Sequence, residues 1–232
     1  NEMKILKIFL FFISTTFAAI SHSDEDPFQN INKKTHNFNQ TLDSSLASPA
    51  ARFYKTITPD ILEVGITNFT HNIEDLSISV NNFLQGKPSE GMSDLLRFTI
   101  NSTIGFAGFV DIASNLGFTK HDEDFGQTLA VWGIPEGPYI VLPGLGPSTL
   151  RDTLAMIPDA FLTPLYGIDH DLTSYSLTAI DLIDTRARYL GLESVVIGDE
   201  YLFYRDAYLQ SREYDILDGN IEDEFDEFDD FD

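Results

Sequence analysis

Residues 101–152 read NSTIGFAGFVDIASNLGFTKHDEDFGQTLAVWGIPEGPYIVLPGLGPSTLRD, and the rest of the chain is organised around them. The stretch is dense in Gly and Pro, yet it carries Phe106, Phe109, Phe118, Phe125, Trp132 and Tyr139. A helix does not tolerate Gly at 105, 108, 117, 126, 133 and 137 with Pro at 135 and 138. An ordinary connecting loop is polar, because its backbone must stay hydrated or paired. The composition therefore predicts irregular backbone bearing large apolar side chains. Two readings fit it: a lining around a greasy ligand, or a long connection that plugs a helical core.

Working outward, the flanking segments predict helices. On the N-terminal side, Ile31, Thr35, Phe38, Leu42 and Leu46 recur at helical spacing. Pro49 and Pro59 bracket a second helical stretch with Phe53, Tyr54 and Ile57. A third starts at Pro59-Asp60 and carries Ile61, Leu62, Ile66, Phe69, Ile73, Leu76, Val80 and Phe83 as far as Gly86-Lys87-Pro88. Ser89 is expected to cap the helix that bears Leu95, Leu96 and Ile100. On the C-terminal side, a short helix is expected from Leu150 to a stop at Pro158. Another carries Ser176, Ile180, Ile183, Ala187 and Leu190 on one face. Asp199 is placed to cap a last helix running to about Tyr214. Only Tyr139 to Leu142 alternates with period two, a run too short to build a sheet. The fold class read from these elements is all-α.

Length, charge and composition bound the function. With 232 residues and 43% apolar content, the chain suits one helical domain, expected over 24–214. The formal charge of −23 argues against nucleic acid, and against electrostatic attraction to anionic lipid headgroups. Any membrane contact must then be hydrophobic. Lys4 and Lys7 precede an apolar run ending in Ser21-His22-Ser23, which predicts an export signal over 1–23. The run falls short of the roughly 20 apolar residues of a spanning helix. From Asp215 the sequence turns acidic and of low complexity, so 215–232 is expected to be a disordered tail.

No catalytic motif appears. Gly-x-Ser-x-Gly is absent, and so are the phosphate-binding glycine loops. The chain has no Cys, hence no thiol nucleophile, zinc-thiolate site or thioether-linked lipid anchor. His121-Asp122-Glu123-Asp124 and Asp169-His170-Asp171 hold ligand-type side chains on adjacent positions, where they rarely converge on one ion. They read as solvated turns. No metal, cofactor or catalytic residue is expected, and the chain does not read as an enzyme. Asp75, Asp111 and Asp152 are acids without an assignable partner, while Arg97 and Arg151-Asp152 read as structural pairs or caps.

Several separated segments, in order, carry a resemblance. They are Asp26-Pro27 with Asn30 and Asn32; Asn37-Phe38-Asn39; Val80-Asn81-Asn82-Phe83-Leu84-Gln85-Gly86; Arg97-Phe98 with Asn101 and Gly105; Gly108-Phe109-Val110-Asp111; Phe125-Gly126-Gln127-Thr128-Leu129; and Gly137-Pro138-Tyr139-Ile140-Val141-Leu142-Pro143 with Thr149-Leu150-Arg151-Asp152. Together they resemble the MlaA/VacJ family of outer-membrane phospholipid-transport proteins.

The resemblance implies a ring-shaped bundle of amphipathic helices around a central amphipathic channel, lying in the inner leaflet of the outer membrane beside a trimeric porin. Such a ring lets misplaced phospholipid leave the outer leaflet and passes it to a soluble periplasmic carrier, with no covalent chemistry. A gating hairpin loop would map to Phe118, Thr119, Lys120, His121, Asp122, Glu123, Asp124 and Phe125. Asn37-Phe38 matches a position needed for the integrity of the ring. A headgroup needs a wet path, for which Asn101, Gly105, Gly108, Gln127 and Thr128 are the candidate lining. The sequence departs from the family pattern in its acidic loop and in lacking a lipobox Cys. Attachment must then come from the ring, a porin or an uncleaved signal segment. Two rival functions stand beside this one: a soluble periplasmic lipid-binding protein, and a lipid hydrolase acting through Asp111 or Asp152.

Overall fold

The computed structural model describes residues 26–163 and 172–220, so the expected export signal and the end of the acidic tail lie outside the described residues. Asn-rich Gln29–Leu42 forms α1, and one wide turn, Asp43–Ala47, leads into α2, Ser48–Ile57, with Pro49 in its first turn. Pro at that position lacks only an N–H that would be unsatisfied anyway. The longest helix, α3, is Asp60–Leu84; it ends where Gly86 turns left-handed (φ 82°). It packs antiparallel on α4, Pro88–Thr103.

The Gly/Pro-rich segment is more regular than its composition predicts. It contains two short helices, α5 (Ile112–Asn115) and α6 (Phe125–Val131), and an antiparallel hairpin of β1 (Tyr139–Leu142) and β2 (Gly146–Thr149). Asp111 and Asp124 cap the two helices by accepting from Ser114 N and Gln127 N. The hairpin corrects the expectation that Tyr139 to Leu142 is too short to build a sheet: it forms a two-stranded one. Its partner, GPST, has no apolar alternation to announce it, and α1 supplies the missing pairing along the free edge of β1. Asn32 Nδ2 donates to Tyr139 O (3.0 Å) and its Oδ1 accepts from Val141 N (3.0 Å), while Asn39 bonds Leu142 O and Gly144 N.

Thr149 caps α7, Leu150–Leu162, which runs through Pro158 instead of stopping there. Contacts with α6, including Phe125 N donating to Asp159 Oδ1 at 3.0 Å, outweigh the one hydrogen bond that the proline removes. Ser89 is not a cap either: α4 starts one residue earlier, at Pro88, and the Ser89 hydroxyl donates to Glu90. Helix α8 spans Leu172–Arg188 and lies against α2 and α3. Asp199 caps α9, Glu200–Ile216, as the sequence predicts.

The distribution of polarity is inverted. Among the described residues, eight apolar side chains are buried against 24 polar or charged ones. The largest fully buried side chains include Asn32, Asn81, Asn82, Asp75, Asp94 and Asp184, whereas Phe53, Ile61, Phe106, Phe161 and Leu172 are all more than 60% exposed. A water-soluble domain does the reverse with its charged groups, and keeps exposed apolar patches small.

Candidate functional site

The polar interior is built chiefly on the α3–α4 hairpin, and segment 118–125 is clamped onto it. Arg97 of α4 donates to Phe118 O (2.7 Å) and Ser114 Oγ (2.9 Å), pairs with Asp111 (3.1 Å), and lies 3.4 Å from Asp75. Lys120 reaches the other oxygen of Asp75 at 2.9 Å and donates to His71 O. His121 Nδ1 sits 3.0 Å from the fully buried Asp94, which also accepts from Asn82. Glu123 takes Lys87 at 2.9 Å and Gln85 at 2.7 Å. Asp122 offers its carbonyl to Gln127. At the far end, Asp124 receives both Nη atoms of Arg212 from α9, and Phe125 N meets Asp159 of α7. Thr119 is exposed, with no hydrogen bond of its own among the described ones. The eight residues of the expected gating loop thus lie together, bridging α3, α4, α7 and α9.

Of the five expected lining residues, Gln127 and Thr128 bond to that loop at Asp122 and Asp124, whereas Asn101, Gly105 and Gly108 lie at the end of α4 and in the turn after it. Asn101 donates to Asp111 and accepts from Ala113 N. Thr128, fully buried, donates to Asn81 and accepts from Gln85. Gln127 is 3% exposed. Gly105 and Gly108 fix a tight turn at the end of α4. A Cβ on Gly105 would sit 2.2 Å from Val110 O, and one on Gly108, at φ 96°, would sit 2.7 Å from Asn72. Between them Phe106 and Ala107 take left-handed backbone and hold Phe106 out, 79% exposed. Asn37 and Phe38 stand on the outer side of α1, with Phe38 55% exposed, while Asn32 and His36 of the same helix face inward.

Residues that sequence reasoning missed supply the site's electrostatics. Burial pushes Glu74 of α3 up to about 7; Lys120 opposes this, and Asp181, Asp122 and Asp75 reinforce it. Burial, then Lys120, lowers His71. Burial and the neighbouring Asp124 push Asp159 up to about 6, although the Phe125 N–H favours its charged form. Asp94 is raised by burial against the pull of His121. In the sequence these acids look like helix-surface residues, and nothing in their spacing reveals the fold around them. Nothing in its spacing singles out Arg212 either, yet it joins Asp124 to Asp152.

The acids weighed for hydrolysis are held by other groups. Asp111 is the α5 cap; burial works against its charge, but hydrogen bonds from Ser114, Asn101 and Arg97 hold it down to about 2. Asp152 accepts from Tyr208 (2.8 Å), Arg212 and Arg151. Among the described residues no three His, Asp or Glu side chains are grouped to hold a metal ion. Asp169-His170-Asp171 lies outside them.

A cavity of about 930 Å³ opens between α1, the β hairpin and α9, walled mostly by apolar side chains. Among the described residues no helix is long and apolar enough to cross a membrane.

A helical bundle with charged, hydrogen-bonded groups inside and large apolar side chains outside defines a class of protein made for apolar surroundings. Within that class the chain belongs to the MlaA lipoprotein family, which residues 24–215 match. It is 33% identical to the "Intermembrane phospholipid transport system lipoprotein MlaA" of Escherichia coli (strain K12), over 82% of this chain and 77% of that protein. To the protein so named in Haemophilus influenzae it is 28% identical, over 84% of this chain and 81% of the other. A solved structure reported as "Structural basis for maintenance of bacterial outer membrane lipid asymmetry" superposes with a TM-score of 0.74 at 31% identity, covering 82% of this chain and 98% of that one.

Proposed function

We propose that this protein is the outer-membrane component of a phospholipid transport system, taking misplaced phospholipid from the outer leaflet through a polar passage in a helical ring and delivering it to a soluble periplasmic carrier. One observation carries the reading: buried side chains are mainly polar while the exposed surface is rich in large apolar ones. Burying on the order of 400 Å² of that exterior in acyl chains contributes roughly 10 kcal/mol at about 25 cal/mol/Å². This hydrophobic attachment needs no lipidated Cys, and it suits a chain whose net charge is −23.

The passage runs along the inner face of α3, where His71, Glu74 and Asp75 meet Lys120 and Asp122 of segment 118–125. A zwitterionic headgroup finds both signs of charge there. Segment 118–125 is the gate. Asn101, Gly105, Gly108, Gln127 and Thr128 serve it by fixing the wall that the gate closes against. Asn37-Phe38 contributes to the outer, lipid-facing side of the ring. A trimeric porin is the partner in the membrane, and the action is transport without covalent chemistry.

The test is purification from native outer membranes in mild detergent, followed by extraction of bound lipid and identification of accompanying protein. Diacyl phospholipid in stoichiometric amount with a co-purifying porin is the expected result. Recovery as a lipid-free monomer in the soluble periplasmic fraction would overturn it in favour of a soluble carrier.

A further inference from the structure

We infer that Glu74 is the specificity-determining residue of the passage: its carboxylate takes the ammonium of a phospholipid whose headgroup carries a primary amine, and so favours that class over headgroups without a cation. The inference rests on reading the protein as a phospholipid transporter and names the class of lipid that the passage prefers.

Glu74 stands apart from the other acids of the passage. Asp75 is buried and bound by Lys120 at 2.9 Å, with Arg97 3.4 Å away. Asp122 is exposed to water. Glu74 is partly buried and, among the described residues, makes neither hydrogen bond nor ion pair. Sealed polar atoms without a partner occur elsewhere in the interior, for example Asn72 Oδ1 and Gln127 Oε1, but none belongs to Glu74, whose oxygens stay accessible. A half-buried carboxylate without a donor is costly, and a cation with N–H donors is the partner that relieves it.

The surroundings select the sign of the ligand. Glu74 and His71 share a face of α3, three residues apart, and Lys120 crosses that stretch to donate to His71 O (3.3 Å) and to Asp75. Lys120 is thus bonded to Asp75 and not to Glu74. Facing Glu74 with it are Asp75 of the same helix, Asp122 of segment 118–125 and the buried Asp181 of α8. Burial is the main reason that the carboxyl titrates as high as about 7, and these three acids add to it against Lys120. An incoming ammonium reverses that balance by favouring the charged form. His71, lowered by burial and then by Lys120, adds no positive charge above neutral pH.

Three headgroups separate charge from hydrogen bonding. A primary ammonium brings a full charge and three N–H donors, and a quaternary ammonium brings the charge without donors. A glycerol headgroup brings no cation and leaves its phosphate facing the acids, a like-charge contact that is unfavourable.

The experiment equilibrates the full chain in mild detergent with an equimolar mixture of dioleoyl lipids bearing ethanolamine, choline or glycerol headgroups. Lipid retained through purification is quantified by mass spectrometry. At pH 8 the ethanolamine lipid is expected to be retained over the glycerol lipid by about tenfold, what one hydrogen bond between charged groups is worth, with the choline lipid between them. Glu74→Gln is expected to bring the ratio close to one while raising Tm. A merely structural carboxyl would shift Tm and leave the ratio alone.

Lowering the pH to 5 protonates Glu74 in the wild type and is expected to erase the preference without any substitution, so the test does not depend on the variant folding. Equal retention of the three lipids at pH 8, or a preference unchanged by Glu74→Gln or at pH 5, would overturn this role of Glu74 and leave the transport reading intact. Retention of no lipid at all would overturn both.

Discussion

Both Nη atoms of Arg212 lie 2.6 Å from the carboxylate oxygens of Asp124, joining the last helix to the end of segment 118–125 across 88 residues of sequence. The same guanidinium reaches Asp152 at 3.1 Å, so one side chain fixes the start of α6 and the start of α7 together. Burial works against its charge, yet Asp124 and Asp152 together raise its affinity for the proton.

Removing that cation leaves the buried Asp152 carboxylate with Arg151 and Tyr208 as its remaining partners. Arg212→Met is expected to cost about 2–3 kcal/mol, the upper range for losing hydrogen bonds to a charged group. Asp124, whose carboxylate is 41% exposed, can be rehydrated, so Asp124→Asn is expected to cost clearly less. Thermal unfolding of the two variants checks the order; equal, small losses would mean that the cluster does not hold the segment.

Two glycine substitutions separate packing from backbone strain. At Gly105 an added Cβ meets backbone oxygens of Val110 and Asn101 at 2.2 and 2.6 Å, neither of which can swing aside. Gly117 has a left-handed φ of 91° but nothing within 4 Å of an added Cβ. Gly105→Ala is expected to cost about 3 kcal/mol, the upper part of the overpacking range. Gly117→Ala should cost only the strain, about 1 kcal/mol. Denaturant titration distinguishes them, and an equal loss at both would show that the turn after α4 yields.

The buried carboxyl of Glu74 sets a pH dependence. Its folded-state pKa, pushed up to about 7, lies above the ordinary 4.5, so the folded state binds the proton more tightly than the unfolded chain does. This group therefore makes stability fall as pH rises from about 4.5 to 7. Glu74→Gln is expected to raise Tm at pH 8, to match wild type near pH 4, and to flatten the slope between. A slope unchanged in the variant would assign the dependence elsewhere, for instance to Asp159, which titrates near 6.

Attachment to membranes should depend on the apolar exterior and not on charge. Phe53, Ile61 and Phe161 are 64%, 80% and 66% exposed, so changing all three to Glu disturbs few internal contacts. Wild-type protein is expected to stay with outer-membrane fractions after a high-salt wash, and the triple variant to be released while keeping its helical circular dichroism. Release of the wild type by salt alone would mean that the exterior is not what binds it.

The sequence by itself determined the long helices and their order, though not the two short ones inside the Gly/Pro-rich segment, because a helix is a local object. Apolar spacing of three and four, Pro49 at a first turn, Gly86 past a last turn and Asp199 as a cap each act within a few residues. What it could not supply is which face of each helix looks inward. Periodicity reveals that α3 has two unlike faces, but the apolar one points inward in water and outward in lipid, and the pattern is the same in both. Only the tertiary structure decided that Asn72, Asp75, Ser79 and Asn82 are inside and Ile61, Leu62 and Phe83 outside. The pairings that hold the site, Asn32 with the hairpin and Arg212 with Asp124, span about 90 to 110 residues. Charge and hydrogen bonding at that separation depend on where the chain folds back, a property of the whole packed molecule and of no single stretch of it.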